Sequence, residues 1–593
     1  MPDMRIRKLT VRGFRGIDNL SWHPTSGVNL IIGGGDAGKT TILESIGLLF
    51  YPGSHFNLTE SDYYHRRVND GFRIEAVLSV SDDFDFSSGE KTYWPWEWRD
   101  NDIQAPLANS DAPQEYQQPV YRVSFEASSD FESSWQVCQP DGSFTHFPVG
   151  LRRKIGLVKL SGDDKNDRDL RLVYGSALDR LISTNNLRSK ISAVVSQLSI
   201  HDQLDDDSKE ALSRLDKQMA DAALPSSVSL GIAGSQGISI GALIGLFAKS
   251  NETLLPLTSW GAGTRRMTSL RVAAVKPTDA RLTLVDEIER GLEPYKLRQF
   301  LRELQESKQQ VFVTTHSPIA VAASSESQLW YVDAECSIGR LDRQKIRSQQ
   351  TRDPETFLSK VAVIVEGETE QGFVGELFRR VLGANPLDYG IRICLGQGDD
   401  QLLELLEEMQ KAKLVVCGFA DNDGAKEVRW ATIRTAMGDC MFQWKKGCIE
   451  SNLLSLIPIE EIEKLLQDSD DQWDGYRLRT IADRVGTDAK EFSSLLAALG
   501  GCRETLKRHI IHAATGDTSD IALPDGAGKK QIARAWKKHA RSWYKNADGS
   551  GGRELLQLMI DTHKWQHVEP ILRPFVNAVL KLIGKPSVER IEL

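Results

Sequence analysis

The stretch from Gly33 to Thr41, GGGDAGKTT, limits the fold of this chain more than any other. An apolar run, Val28 to Ile32, comes before it, and a helical pattern, Ile42 to Phe50, comes after it. This order of strand, G-x-x-x-x-G-K-[ST] and helix is typical of a phosphate-binding loop. Its glycines let backbone N–H groups turn toward phosphate oxygens, and the positive end of the following helix points at the same anion. The sequence therefore predicts that the chain binds a nucleoside triphosphate, which we take to be ATP.

Two side chains of this loop have distinct predicted tasks. Lys39 is placed to reach the β- and γ-phosphates, and the Thr40 hydroxyl is placed to hold Mg²⁺. The nucleotide-binding residues predicted for the loop are Gly33, Gly35, Gly38, Lys39, Thr40 and Thr41.

Length and composition set the wider limits. A chain of 593 residues is expected to form about three or four domains. No apolar run approaches the ~20 residues that a membrane helix needs, so no membrane association is expected. Seven scattered cysteines without a C-x-x-C pair indicate reduced thiols in a cytoplasmic protein. The net charge of −9 argues against a general basic coat for nucleic acid but leaves room for a local basic groove.

Segments that could complete an ATPase site with the phosphate loop lie further along the chain. Ser259 to Gly263 reads S-W-G-A-G, and a buried-strand pattern, Leu282 to Val285, then ends at Asp286 and Glu287. Asp286 would hold Mg²⁺ through water, and Glu287 would act as general base on the attacking water. Taken alone, such an Asp-Glu pair is more often a solvated strand end. A further apolar strand, Gln310 to Thr314, leads to His316.

The first half of the chain resembles the ABC-type ATPase heads of the SMC, Rad50 and RecF proteins. Those heads open with a strand, a turn similar to Phe14-Arg15-Gly16, a second strand and a phosphate loop. The resemblance covers Met1 to about residue 345. It implies that Ser259, Gly261 and Gly263 contact the nucleotide of a second subunit, that His316 senses the γ-phosphate, and that the protein is a homodimer or a higher homo-oligomer.

We predict three parts within this head. Residues 1–166 form its N-terminal part, with an antiparallel β subdomain, and residues 229–347 form its C-terminal part. Between them, residues 167–228 have helical periodicity and are predicted to be a helical insertion used for dimerisation. A polar stretch at 348–355 is predicted to separate the two halves of the chain.

The second half has two acidic clusters, each after an apolar strand pattern. Val361 to Val365 leads to Glu366 and Glu370, and Leu414 to Ala420 leads to Asp421 and Asp423. Strands alternating with helices indicate a parallel sheet, whose binding site lies at the carboxyl ends of the strands. Carboxylates brought together there need cations, so we predict one or two Mg²⁺. Two ions would stabilise the attacking and leaving oxygens of phosphodiester cleavage, and Glu366 is a candidate catalytic acid or base instead.

A glutamate after one strand and D-x-D after a later one resembles the Toprim domain. An ATPase head fused to a Toprim domain resembles the OLD family (overcoming lysogenisation defect) of nucleases, to which the Gabija nuclease is related. That resemblance implies Mg²⁺- or Mn²⁺-dependent nicking and cleavage of DNA, defence against phage, dimers built through the ATPase part, and a partner protein of a defence system. The metal ligands it implies are Glu366, Glu370, Asp421, Asp423 and Glu450, beside Thr40 and Asp286 in the ATPase part.

The sequence around Glu450 departs from the family pattern. The family often has a serine three residues before this glutamate, where this chain has Gly447. The family also has a late catalytic lysine. We assign it to Lys545, with Lys529 and Lys530 as alternatives. Residues 356–456 would form the Toprim core, and residues 457–593 a helical part that completes it.

Basic residues recur at helical spacing before that lysine: Lys530, Arg534, Lys537, Arg541 and Lys545. They are either the solvated face of a core-packed helix or a contact to a nucleic-acid backbone, and the sequence does not decide between the two.

The predicted fold class is therefore α/β: an ABC-type ATPase head followed by a Toprim domain with a helical extension. The leading functional prediction is an ATP-regulated, metal-dependent DNA endonuclease. The alternative is a DNA-repair or structural ATPase of RecF or SMC type whose Toprim domain does not cleave.

Overall fold

The computed structural model describes residues 4–81, 84–88, 91–106, 118–160, 167–173, 176–182, 204–232, 244–274, 282–307, 309–466, 476–489, 491–518 and 528–593. The chain divides into two compact units, Met1–Arg343 and Gln344–Leu593. Residues 348–355, predicted to be a separating stretch, are instead largely helical and belong to the second unit.

The first unit is built on an antiparallel and a mainly parallel sheet. Its strands are β1 (Arg5–Phe14), β2 (Ile17–Trp22), β3 (Val28–Gly33), β4 (Phe72–Ser79), β5 (Ser87–Ser88), β6 (Lys91–Thr92), β7 (Trp96–Arg99), β8 (Asp102–Gln104), β9 (Gln118–Ala127), β10 (Ser133–Cys138), β11 (Phe144–His146), β12 (Val158–Leu160), β13 (Ser229–Ile232), β14 (Ile244–Ser250), β15 (Thr253–Pro256), β16 (Leu282–Val285), β17 (Gln310–Thr314), β18 (Gln328–Val332) and β19 (Ile338–Arg340).

The parallel sheet positions the phosphate loop. Its strand order is β12-β16-β17-β3-β18-β19, and every pair except β18 with β19 is parallel. The carboxyl ends of β3, β16 and β17 therefore lie at one edge. The antiparallel sheet has the order β11-β10-β9-β4-β1-β2, with β7 and β8 added beside β9, and β13, β14 and β15 form a small third sheet.

The two larger sheets share one hydrophobic core. Trp22 of β2 packs edge-on against Phe312 of β17 and Trp330 of β18. The buried Gln310 side chain joins the sheets by polar contacts, because it accepts from the Ile6 N–H at 2.8 Å and donates to the Ile6 carbonyl at 2.9 Å. Burying an amide costs free energy unless its hydrogen bonds are made, and here they are.

The helices of the first unit cover these sheets. They are α1 (Lys39–Leu49), α2 (Val149–Lys154), α3 (Ala177–Ile182), α4 (Asp206–Asp221), α5 (Ala262–Ala274), α6 (Pro294–Glu306) and α7 (Pro318–Ala323). The apolar faces predicted for 167–228 are buried: Leu178 and Leu181 on α3, Leu212 and Leu215 on α4. Residues 183–203 of the predicted dimerisation insertion lie outside the described residues.

The second unit is organised around a fully parallel sheet of order β21-β20-β22-β23. Its strands are β20 (Val361–Val365), β21 (Ile391–Leu395), β22 (Val416–Ala420) and β23 (Met441–Gln443). Its helices are α8 (Arg343–Arg352), α9 (Glu368–Leu382), α10 (Asp399–Lys411), α11 (Glu427–Met437), α12 (Ile449–Ser455), α13 (Tyr476–Val485), α14 (Phe492–Ala498), α15 (Arg503–Thr515), α16 (Gly528–His539), α17 (Ser550–Asp561) and α18 (Trp565–Leu582). The predicted α/β class, with a helical extension after the second sheet, is confirmed.

The helix that carries the predicted basic face is shorter than expected. It ends at His539 and is followed by a 3₁₀ turn, Ala540–Ser542, so Lys545 does not continue its face. Trp536 is buried beneath it, whereas Arg534 and Lys537 are exposed. The late lysine therefore reaches its position through the turn that follows this helix.

Glycines hold α9 and α17 in close contact. A Cβ on Gly372 would lie 1.8 Å from the Gly549 carbonyl oxygen, and one on Gly552 would lie 2.0 Å from the Thr369 carbonyl oxygen. Only glycine leaves room for such an approach. This contact places the segment from Tyr544 to Gly549 beside the first turn of α9.

We expect Gly372→Ala to destabilise the protein by about 1–3 kcal/mol or more, because the added methyl group must push two backbones apart. Gly375→Ala on the same helix is the matched control. Its Cβ would meet only Ile393 Cδ1 at 3.7 Å, an ordinary contact, so we expect no loss of stability. Urea denaturation of both variants measures the difference, and equal stability would contradict the close packing of α9 on α17.

Candidate nucleotide and metal sites

The phosphate loop leaves open space where a ligand would approach. It runs from the end of β3 to the start of α1 at Lys39. A Cβ built on Gly34 or Gly35 would meet no atom within 4 Å, and Gly38 has a φ of +86°, which favours glycine. The loop thus has the backbone freedom and the helix N-terminus that a phosphate requires.

Lys39 is buried and already held toward the loop. Its Nζ donates to the carbonyls of Gly33 at 3.1 Å and Gly34 at 2.6 Å. Burial lowers the pKa of Lys39, and the negative charges of Asp286 and Asp36 oppose that effect. Thr41 follows in the first turn of α1 and is half-buried.

The end of β16 meets the start of α1. Asp286 Oδ1 accepts from the Thr40 hydroxyl at 3.0 Å and from the Thr314 hydroxyl at 2.6 Å. The Glu287 N–H donates to the same Thr314 oxygen at 2.8 Å, and Glu287 has a left-handed backbone with φ +46°. The Glu287 carboxylate is exposed and lies 3.5 Å from Arg290. Thr40, Asp286 and Glu287 are therefore brought together, and Thr314, to which sequence reasoning gave no role, orders them.

Arg266 holds the backbone that follows β16 by hydrogen bonds. Its buried guanidinium donates to the backbone carbonyls of Asp286, Glu287 and Arg290. Burial lowers the pKa of Arg266. The residue closes the S-x-G-x-G-x-x-R pattern that begins at Ser259, so a signal for it was present in the sequence.

The segment from Ser259 to Gly263, predicted to contact the nucleotide of a second subunit, is partly exposed. Ser259 and Gly261 are exposed just before α5, and the Ser259 hydroxyl donates to the Pro256 carbonyl at 2.7 Å. Gly263 is buried, and a Cβ on it would lie 2.1 Å from the Gly291 carbonyl oxygen of the same chain. His316 is exposed beyond β17, and its backbone N–H donates to Glu289 at 2.7 Å.

The acidic residues predicted as metal ligands of the second unit lie at the carboxyl edge of its sheet. Glu366 accepts from the Asp421 N–H at 3.2 Å, and Asp421 accepts from the Ile449 N–H at 3.0 Å. Glu450 is fully buried. Its Oε1 accepts from the Thr369 hydroxyl at 3.0 Å, whereas its Oε2 has no hydrogen-bond partner.

Three potential ligand atoms converge at this edge. One oxygen each from Asp421 and Glu450 and the Cys448 sulfur lie within 4.8 Å of one another. Burial raises the pKa of Glu366, and the negative charges of the exposed Asp423 and of Asp399, at the start of α10, add to that effect. Sequence reasoning gave no role to Asp399, Thr369 or Cys448, although Thr369 lies between Glu366 and Glu370 and Cys448 lies two residues before Glu450.

Crowding of these carboxyl groups shows in their pKa values. Burial raises the pKa of Glu370 to about 8, and the negative charges of Glu450 and Glu366 add to that effect. Burial and the charges of Glu370 and Glu450 also raise the pKa of Asp421 well above its usual range. Divalent cations would offset the free-energy cost of burying these carboxylates and the repulsion between them. Glu450 Oε2 is also a buried acceptor without a donor, so the residues fit a metal site.

Lys545 is the late lysine that the structure brings to this cluster. Burial lowers its pKa, but the charges of Glu450, Glu370 and Asp421 outweigh that and raise it above the usual value. The adjacent Tyr544 carbonyl accepts from the Thr369 hydroxyl at 3.1 Å, which ties the segment to α9. The side chains of Lys529 and Lys530 lie outside the described residues.

Comparison with known proteins agrees with this division. A family model described as "AAA domain, putative AbiEii toxin, Type IV TA system" matches residues 28–322. A second, described as "Overcoming lysogenization defect protein-like, TOPRIM domain", matches residues 357–423. The chain is an ATPase–Toprim fusion of the OLD type. The predicted family resemblance is thereby confirmed.

One curated relative of the OLD-type fusion is the DNA replication and repair protein RecF of Chloroherpeton thalassium. It is 36% identical over 75 residues, which are 13% of this chain and 20% of that protein. The chain thus spans about a fifth of this relative's length.

Solved structures similar to the fusion include the Smc head domain of Pyrococcus furiosus, bound to the C-terminal domain of ScpA. It is 13% identical, with a TM-score of 0.39, and the match covers 59% of this chain and 98% of that one. The recombination mediator protein RecF bound to ATP is 14% identical, with a TM-score of 0.35, over 57% of this chain and 100% of that one. Within the described ranges of the fusion, every helix is too short or too polar to span a bilayer.

The pKa of Glu370 predicts a pH dependence of stability. An unfolded glutamate titrates near pH 4.3, whereas folded Glu370 titrates near pH 8. Between these values the folded state holds a proton that the unfolded state has released, so stability falls as pH rises. Without metal, we expect the melting temperature of the second unit to drop by about 2–4 °C or more from pH 6 to pH 8, the change that ~1 kcal/mol produces.

Calorimetry of the full chain in a chelator measures this drop. Glu370→Gln should flatten it, and Glu368→Gln, an exposed neighbour on the same helix, should leave it in place. A wild-type transition with the same melting temperature at both pH values would contradict the crowded, buried carboxyl group.

Proposed function

We propose that this protein is an ATP-hydrolysing, divalent-metal-dependent DNA endonuclease. In this proposal the Toprim-type site cleaves phosphodiesters, and the ATPase unit controls that cleavage. The observation that carries the proposal is the buried Glu450 carboxylate, which has one oxygen without a donor and lies beside Asp421. Such a group costs free energy in a structural role and suits one that binds cations.

The residues of the second unit would divide the work. Glu366, Glu370, Asp421, Asp423 and Glu450 would hold Mg²⁺ or Mn²⁺. When bound, these ions supply charge neutralisation and activate the attacking and leaving oxygens. Lys545 would stabilise charge that develops on the phosphate, since its raised pKa keeps it protonated at neutral pH. Glu366 remains the candidate for moving a proton during the reaction.

In the first unit, Gly33, Gly35, Gly38, Lys39, Thr40 and Thr41 would hold ATP, with Asp286 as a Mg²⁺ ligand and Glu287 as general base. Ser259 and Gly261 are exposed and thus accessible to the nucleotide of a second copy, with Gly263 behind them. His316 would sense the γ-phosphate. A homodimer with two shared ATP sites is the assembly that this arrangement supports.

The wider biological role follows from the family. We infer a cytoplasmic enzyme that acts on DNA in defence against phage, together with a partner protein of the same defence system. All seven cysteines are free thiols, which suits a reducing compartment.

Changing Asp421 to Ala should lower the cleavage of plasmid DNA by about 10²-fold or more, because the substitution removes a carboxylate that faces Glu450 and Glu370. ATP hydrolysis should persist, since Asp421 belongs to the other unit. Plasmid nicking assays with Mg²⁺ or Mn²⁺, each with and without ATP, measure both cleavage and its control. Asp439→Ala, an exposed carboxylate in the same unit, is the control.

The same assay separates the proposal from its alternative. A structural ATPase of RecF or SMC type would bind DNA and hydrolyse ATP but would leave the wild-type plasmid intact with either metal. Cleavage that survives in Asp421→Ala would show that the carboxylate cluster is not the nuclease site.

Changing Glu287 to Gln should slow ATP hydrolysis by about 10²–10⁴-fold, the usual contribution of a general base, while ATP still binds. Nucleotide binding and phosphate release, measured on one preparation, separate the two effects. Glu306→Gln, exposed at the end of α6, is the control. Normal turnover in Glu287→Gln would rule out Glu287 as the base.

A further inference from the structure

We propose that Cys448 is a ligand of the divalent ion held by Asp421 and Glu450, so that this position prefers a transition-metal ion to Mg²⁺. The inference rests on the proposed metal-dependent function and goes beyond it by naming the class of metal. Cys448 is not among the metal ligands that the family resemblance implies in this unit, which are all carboxylates.

The geometry brings the three ligand atoms within reach of one ion. One oxygen each of Asp421 and Glu450 and the Cys448 sulfur lie within 4.8 Å of one another. With metal–sulfur bonds of about 2.3 Å, metal–oxygen bonds of about 2.1 Å and tetrahedral angles, two ligand atoms lie about 3.6 Å apart. Side-chain rotations that move these atoms by about 1 Å would close the site.

A second observation points independently to a ligand. Glu450 is fully buried, and its Oε2 has no hydrogen-bond partner although Oε1 accepts from Thr369. A buried carboxyl oxygen without a donor suits a bound cation. The neighbouring thiol cannot satisfy a carboxylate as a cation would, because S–H is a weak donor.

The backbone around Cys448 is held in place on both sides. Its own N–H donates to the Ser451 hydroxyl at 3.1 Å, and the next N–H, that of Ile449, donates to Asp421 Oδ1 at 3.0 Å. The residue therefore caps the N-terminus of α12 with its sulfur beside the two carboxylates. The thiol belongs to the same short turn that orients Asp421.

Ligand chemistry decides which ion such a set prefers. Mg²⁺ takes oxygen ligands and keeps several waters, whereas thiolate ligands favour softer transition-metal ions. On binding, the thiol releases its proton to solvent and the sulfur forms the bond to the metal, with no change in oxidation state. Zn²⁺, Co²⁺ or Cd²⁺ should therefore bind here more tightly than Mg²⁺ does.

Titration of the full-length protein with Cd²⁺ tests the assignment, because a cadmium–thiolate bond absorbs in the ultraviolet. We expect Cys448→Ser to remove one step of this absorption and to weaken Cd²⁺ binding by about tenfold or more, while Mg²⁺ binding changes little. Asp421→Ala should remove the same step. Cys502→Ser, an exposed cysteine on another helix, should retain it.

The same variants distinguish Cd²⁺ bound at Cys448 from Cd²⁺ bound by a second pair of thiols. Cys417 and Cys440 lie close to each other, and any Cd²⁺ that they bind will persist in both Cys448→Ser and Asp421→Ala. If Cys448→Ser and the wild-type protein have identical titrations, the assignment of Cys448 as a ligand is wrong.

A second measurement needs no variant. Cd²⁺ should protect Cys448 of the wild-type protein from iodoacetamide, as read by mass spectrometry, whereas an equal concentration of Mg²⁺ should not. If Cys448 of the metal-free protein is alkylated and saturating Cd²⁺ does not slow that reaction, the inference is overturned. Plasmid cleavage is measured separately, so an active nuclease with an unprotected Cys448 would refute this inference alone.

Discussion

Repulsion among carboxyl groups at the carboxyl edge of the second sheet is the constraint on which that unit depends. Burial raises the pKa values of Glu370 and Asp421, and the neighbouring acidic side chains raise them further. Local donors balance part of this charge: the Thr369 hydroxyl, the Ile449 N–H and the Lys545 ammonium group. These donors orient the carboxylates, and the positive charge of Lys545 offsets only part of their negative charge, which leaves the edge suited to cations.

Parallel strands create both candidate sites in the same way. In the first unit, β3, β16 and β17 deliver the phosphate loop, Asp286 and Thr314 to one edge. In the second, β20 and β22 deliver Glu366 and Asp421 to another. Because parallel strands all end on the same side of the sheet, residues far apart in the chain meet at that edge. Loops of very different chemistry thus form the candidate nucleotide site in one unit and the candidate metal site in the other.

Close packing, rather than hydrogen bonding alone, positions the supporting groups. The contact of Gly372 with Gly549 holds the segment that carries Lys545 against α9, and the contact of Gly263 with Gly291 holds the start of α5 beside the end of β16. At such positions a single methyl group would displace a backbone that also orients a site residue. Stability and activity are therefore expected to be coupled at these glycines.

The sequence by itself determined the two α/β halves, the phosphate loop, the Asp286–Glu287 pair and the acidic clusters, because each depends on short spacing and on the period of apolar residues. The family resemblance implied a late lysine, and Lys545 was the residue assigned to that role. Only the tertiary structure decided that the boundary stretch is helical, that Arg266 and Thr314 order Asp286, and that Thr369, Cys448 and Asp399 join the acidic cluster. Those contacts link segments that lie between 20 and 81 residues apart, so their partners are set by packing and charge, which no local pattern records.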